Sequence, residues 1–236
     1  MKTRLPVVAE VEGLGRIVQA DGDFYKSLKL LAQEGAKPIS LRDEAYARLM
    51  TQGKEDVGIT YGTGTFTSAG FEHARGQLPI LRLESRLNNP ELARLVVEAN
   101  RQGNYFYTDS TREYKNSLRQ AQKDSSKKPK ERNVILLPSK DPFVISDKEN
   151  WKIYEAIFKD QARDYFELNG PIPIEPVNKD FVDSYDGTLL TLMWFRNLDD
   201  RSELDGNFRP LYGGGRLRGV LKSGEADALK TQGGSK

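Results

Sequence analysis

The sequence predicts an α+β fold: a mixed or antiparallel sheet with several packed helices and a helical N-terminal layer. Three observations carry that expectation. Apolar residues recur at helical spacing in five segments, β-rich segments fall irregularly between them, and the most apolar run, "GTLLTLMWFRNL", reads as a buried central strand. No internal repeat and no clean midway linker divides the 236 residues, so one domain spanning 1–236 is expected. It carries an exposed basic loop at about 123–133 and a frayed tail from about 224.

"DGDFYKSLKLLAQEG" is the first helix. Asp21 or Asp23 can cap it, Phe24, Leu28 and Leu31 form a stripe, and Gly35 suits the position just past its end. Ser40 caps the second, with Asp43 in the first turn and Leu41, Ala45 and Leu49 on one face. "VGITYGTGTFTSAGFEHARGQLPILRLES" then changes period. Thr63, Thr65 and Thr67 alternate with Gly64 and Phe66, which reads as strands and turns. "NPELARLVVEANRQG" is a helix opened by Pro90 and closed by Gly103, and "YFYT" is a short strand.

The next helix runs from about Ser110 to Lys123 and gives way to "KDSSKKPKERN". "VILLP" and "FVIS" are strand candidates around the turn "SKDP". A capping box of Ser146 and Glu149 opens what should be the longest helix, with Trp151, Tyr154, Phe158, Ala162 and Tyr165 on one stripe. Its packing partner should be the strand Leu189 to Phe195, and "LRGVLKSG" should be the last strand.

Composition narrows the chemistry. There is no cysteine, so disulfides, thiolate nucleophiles and Cys-ligated metals are excluded, and the single His73 removes paired-histidine zinc motifs. No apolar leader segment and no run of 18 apolar residues occurs, which reads as a soluble cytoplasmic protein with no membrane partner. No cofactor is expected.

The net charge of +2 is unevenly placed. Residues 112–132 hold eight cations and three anions, a local +5, so the remainder of the chain sums to −3. On a helix, Arg112, Lys115, Arg119 and Lys123 recur at i, i+3, i+7 and i+11, opposite Tyr114, Leu118 and Ala121. Lys127, Lys128, Lys130 and Arg132 follow in the loop, and Tyr105, Phe106 and Tyr107 precede it. Cations beside aromatics suit single-stranded nucleic acid or another polyanion. A solvated helix face beside a basic loop accounts for the same residues.

The run "RPLYGGGRLRGVL" lacks the lysine and hydroxyl residue of a phosphate-binding loop, so Gly213 to Gly215 read as a turn between strands. Arg216 and Arg218, two apart, would share one strand face and could add to an anion site. His73 beside Glu72, with Arg75 close by, could act as a base, but a lone histidine with no identifiable partner is more often a surface or packing residue. Asp180, Asp183 and Asp186, or Asp199, Asp200, Glu203 and Asp205, could hold Mg²⁺ or Ca²⁺, but solvated turns account for them and no metal ligand set is assigned. Three functions are compatible with these features. The leading one is nucleic-acid or polyanion binding through the basic helix face and loop. The alternatives are a carboxylate-metal hydrolase of nuclease type and a non-enzymatic assembly or scaffold protein with a protein partner.

Overall fold

The computed structural model describes residues 5–52, 64–104, 107–108, 110–146, 148, 150–198, 201–206 and 215–222. The fold is α+β, built on one mixed sheet. It opens with a hairpin, β1 (Val7–Val11) and β2 (Gly15–Gly22), closed by Gly13 and Gly15 at positive φ. The N-terminal layer is therefore not purely helical. Next come α1 (Phe24–Gln33), the two-residue strand β3 (Lys37–Pro38) and α2 (Leu41–Thr51). Asp23 and Ser40 cap the two helices as expected, accepting from the backbone N–H of Lys26 and Asp43.

The middle of the chain supplies β4 (Thr65–Ala74), β5 (Ile80–Arg82), α3 (Pro90–Arg101), β6 (Tyr107–Thr108), α4 (Arg112–Ser125) and β7 (Val134–Leu136). Then follow β8 (Phe143–Ile145), α5 (Trp151–Phe158), α6 (Ala162–Asn169), β9 (Ile172–Glu175) and α7 (Lys179–Asp183). The last described elements are β10 (Thr188–Leu198), β11 (Arg201–Asp205) and β12 (Gly215–Leu221). The main order across the sheet is β1-β2-β12-β4-β10-β11-β9-β8. The pairs β12–β4 and β11–β9 are parallel and the others antiparallel. "VILLP" and "FVIS" do form strands but take different partners, since β7 pairs with β5 and β8 with β9.

β10 lies at the centre, covered on both faces, which is why its sequence is almost continuously apolar. Leu190 and Leu192 pack with Phe24, Leu28 and Leu31 of α1 and Val96 and Val97 of α3. Met193 and Phe195 pack with the α5 and α6 side. There Phe158 sits 4.8 Å from Tyr154, 4.9 Å from Tyr165 and 6.1 Å from Phe195, ring centre to ring centre.

That aromatic stripe does not lie on one long helix. Lys159 takes φ 55° and ψ −122°, which ends α5 and leads through a 3-10 turn into α6. The helix does not start at a capping box either: α5 begins at Trp151 behind a left-handed Asn150, and Ser146 lies outside it. Glu149 is outside the described residues. At 14 residues α4, not this segment, is the longest described helix. Among the described residues no helix is long and apolar enough to cross a membrane.

Candidate functional site

The cationic stripe is built on α4. Its inner face is fixed by Tyr114, Ser117, Ala121 and Asp124, all buried. The Tyr114 hydroxyl donates to the Leu78 carbonyl at 2.6 Å, the Arg82 guanidinium donates to Ser117 Oγ at 3.2 Å, and Arg86 pairs with Glu113 at 2.7 Å. Arg112, Lys115, Arg119 and Lys123 are exposed on the other side. The first and last are eleven residues apart, so the stripe is about 16 Å long at 1.5 Å per residue. Arg119 donates to Asn116 at 3.2 Å, and among the described residues none of the four meets a carboxylate within salt-bridge distance.

The segment after α4 is held closely. The buried Asp124 carboxylate accepts from Gln120 at 2.8 Å, from the backbone N–H of Asn133 and of Val134 at 3.0 Å, and pairs with Lys127 at 2.7 Å. Burial opposes ionisation, but these donors outweigh it and hold the carboxyl down at about 2. Arg132 turns back onto the Ser125 and Lys127 carbonyls, and Lys130 pairs with Asp160 at 3.1 Å. Lys127, Lys128 and Lys130 are exposed and Arg132 half-buried. Of these loop cations, Lys127, Lys130 and Arg132 already serve the fold. Tyr105 and Phe106 are outside the described residues.

Arg216 and Arg218 do share a face of β12, but that face is not a free surface. Arg216 approaches Asp21 on the neighbouring β2 at 3.5 Å. Arg218 is fully buried beneath α2, where its guanidinium donates to Glu44 Oε1 at 2.5 Å. The same oxygen accepts from Arg48 Nε at 3.1 Å, and the Arg48 guanidinium lies 4.0 Å above the Phe195 ring. Arg218 is thus withdrawn from any external anion, contrary to the expectation that it would add to the basic face. Gly215 opens β12, and a Cβ there would stand 2.7 Å from the Phe66 ring, so the strand start needs glycine for packing. Gly213 and Gly214 are outside the described residues.

His73 is buried in β4 beside Phe71, and loss of solvation pushes its imidazole down to about 3. Neutral throughout the physiological range and enclosed, it is packed as part of the core. Glu72 is buried too, with Arg82 at 3.6 Å and Arg86 at 4.0 Å, and burial pushes its carboxyl up.

Of the acidic groups, Asp180, Asp183 and Asp186 are exposed around α7. Asp183 accepts from the Gly76 N–H and Asp186 meets Arg75, as turn and helix-end residues do. Asp199 and Asp200 are outside the described residues. Glu203 and Asp205 on β11 converge with Glu175 at the end of β9, their oxygens within 4.8 Å of one another. The parallel β9–β11 register, with Asp205 opposite Glu175, makes that meeting. Glu175 was not among the acidic groups the sequence singled out, because it stands 28 residues before Glu203 with no local pattern.

No protein-family model matches the chain, and no curated protein matches it. Among solved structures, one from work on the accommodation of massive sequence variation in Nanoarchaeota by the C-type lectin fold aligns with a TM-score of 0.54. The alignment covers 94% of this chain and all of the other at 15% identity. Similarity at that identity is a similarity of fold, and this chain is an α+β protein that resembles the C-type lectin fold of that structure.

Proposed function

We propose that this chain is a binding protein that engages a polyanion, single-stranded nucleic acid in the first instance, through the outward face of α4. The observation that supports this reading is the exposed row Arg112, Lys115, Arg119 and Lys123, which no carboxylate neutralises among the described residues. Cations spaced along about 16 Å of rigid helix meet successive phosphates, and the affinity comes from release of their counterions. A fold that accommodates massive sequence variation in the Nanoarchaeota protein is compatible with such a use, since a binding face can change while the core stays.

Fluorescence anisotropy with labelled single-stranded oligonucleotides tests it. Four phosphate contacts give a log–log salt slope near −2.8, so affinity should fall about 50-fold between 50 and 200 mM salt. Replacing the four cations by glutamine should flatten the slope and weaken all sequences alike. Absence of binding by the folded protein at tens of micromolar would refute the reading and favour the scaffold alternative.

A further inference from the structure

Away from the α4 stripe, a depression of about 390 Å³ is walled by Arg42, Glu84, Lys130, Ile157, Lys159 and Asp160. Its volume is that of a small-molecule site. Lys159 is the unusual member. Its φ of 55° and ψ of −122° belong to a region that non-glycine residues rarely enter. The half-buried side chain donates from Nζ to the Arg132 carbonyl, on the segment that follows α4. Burial pushes this amine's pKa down. Asp124 and Asp160 oppose that shift and Arg42 adds to it.

Next to it, the Asp160 carboxylate is held by two cations from separate elements, Lys130 at 3.1 Å and Arg42 at 3.8 Å. Asp160 is largely exposed, so an incoming anion can exchange with it and keep both cations satisfied. The groove therefore combines a constrained amine with a pair of cations already arranged around a carboxylate.

We propose that Lys159 is the nucleophilic amine of a small-molecule site in this groove, and that its ligand is an aldehyde or ketone bearing a phosphate or carboxylate group. The anionic group takes the place of Asp160 on Arg42 and Lys130. The Nζ lone pair adds to the carbonyl carbon, and a C=N bond replaces C=O. The carbonyl oxygen leaves as water with both amine hydrogens, so no electron donor or acceptor is needed. The Arg132 carbonyl positions the amine by accepting one N–H before attack. Arg112, Lys115, Arg119 and Lys123 are not part of this site, so its test is separate from that of polyanion binding.

Pyridoxal 5′-phosphate, an aldehyde carrying a phosphate, is the probe. The intact protein is treated with an equimolar amount at pH 7.5, reduced with borohydride and mapped by peptide mass spectrometry. The reduced adduct on Lys159 should exceed that on Lys26, whose side chain is 72% exposed, by about fivefold or more, as a half-buried amine held beside a cation pair requires. Pyridoxal without its phosphate, and the phosphate probe on an Arg42→Gln variant of unchanged circular dichroism, should both lose most of that preference. An adduct distributed by exposure, with Lys159 at or below Lys26, would overturn the proposal. Equal labelling by the two aldehydes would overturn the anion-bearing class of ligand.

Discussion

Replacing Glu44 by glutamine removes the negative charge that two buried guanidiniums share, at nearly constant shape. The Glu44, Arg48 and Arg218 side chains are at most 1% exposed, so water cannot take over for the lost carboxylate. One carboxylate oxygen accepts from Arg48 at 3.1 Å and from Arg218 at 2.5 Å, and an amide can satisfy both donors only with its weaker, uncharged oxygen. Breaking a buried ion pair in this way costs about 3–5 kcal/mol, because the remaining charges stay desolvated. At about 2–4 °C of Tm per kcal/mol for a chain of this size, the melting temperature should drop by roughly 10 °C. Guanidinium titration checks the figure. The midpoint should fall with an unchanged m-value, which separates lost stability from a changed denatured state. A loss below about 1 kcal/mol would refute the reasoning and mean that the arginines are held mainly by other groups.

Phe158→Ala should cost about 3–5 kcal/mol in the same titration, since the ring is fully buried among Tyr154, Tyr165 and Phe195. His73, with its imidazole pushed down to about 3, makes the fold sensitive to acid. The unfolded chain takes up a proton below about 6.5 and the folded chain does not until about 3, so stability should fall by about 1.4 kcal/mol per pH unit between those values. His73→Met should flatten that stretch of a pH–stability profile. Asp124 works in a lower window: its folded value of about 2 lies below the ordinary 3.8, so its contribution is complete above 3.8 and lost as the pH falls through 2. Asp124→Asn should therefore cost about 2 kcal/mol at pH 7, measured by denaturant titration, and little at pH 2.

The parts of this fold that local chemistry dictates were readable in the sequence. Asp23, Ser40 and Pro90 mark helix starts by their own hydrogen bonding or ring geometry, and the α4 cations are spaced for one face whatever the rest of the chain does. The break at Lys159 was not readable. The aromatic spacing continues smoothly on both sides and neither glycine nor proline interrupts it, so only the docking of α5 and α6 against β10 exposes the reversal. Arg218 failed for a related reason: its partner Glu44 is 174 residues away, and an arginine beside glycines in a strand carries no local sign of burial. The same holds for the meeting of Glu175 with Glu203 and Asp205, which the β9–β11 register alone brings about. The β1–β2 hairpin, by contrast, does carry a local signal, since Gly13 and Gly15 punctuate alternating apolar residues there.

The position of β12 has a consequence for how the molecule is assembled during synthesis. The last described strand does not close an edge but inserts between β2 and β4, which precede it by more than 140 residues. Until residue 221 is available, the hairpin that begins the described chain and the long β4 cannot be joined through the sheet, and β2 shows an open ladder of backbone donors and acceptors. A ribosome-bound chain stalled before β12 should therefore be protease-sensitive throughout its N-terminal third and prone to edge-to-edge association. Closure by so distant a strand also places the molecule among slow-folding, high-contact-order topologies.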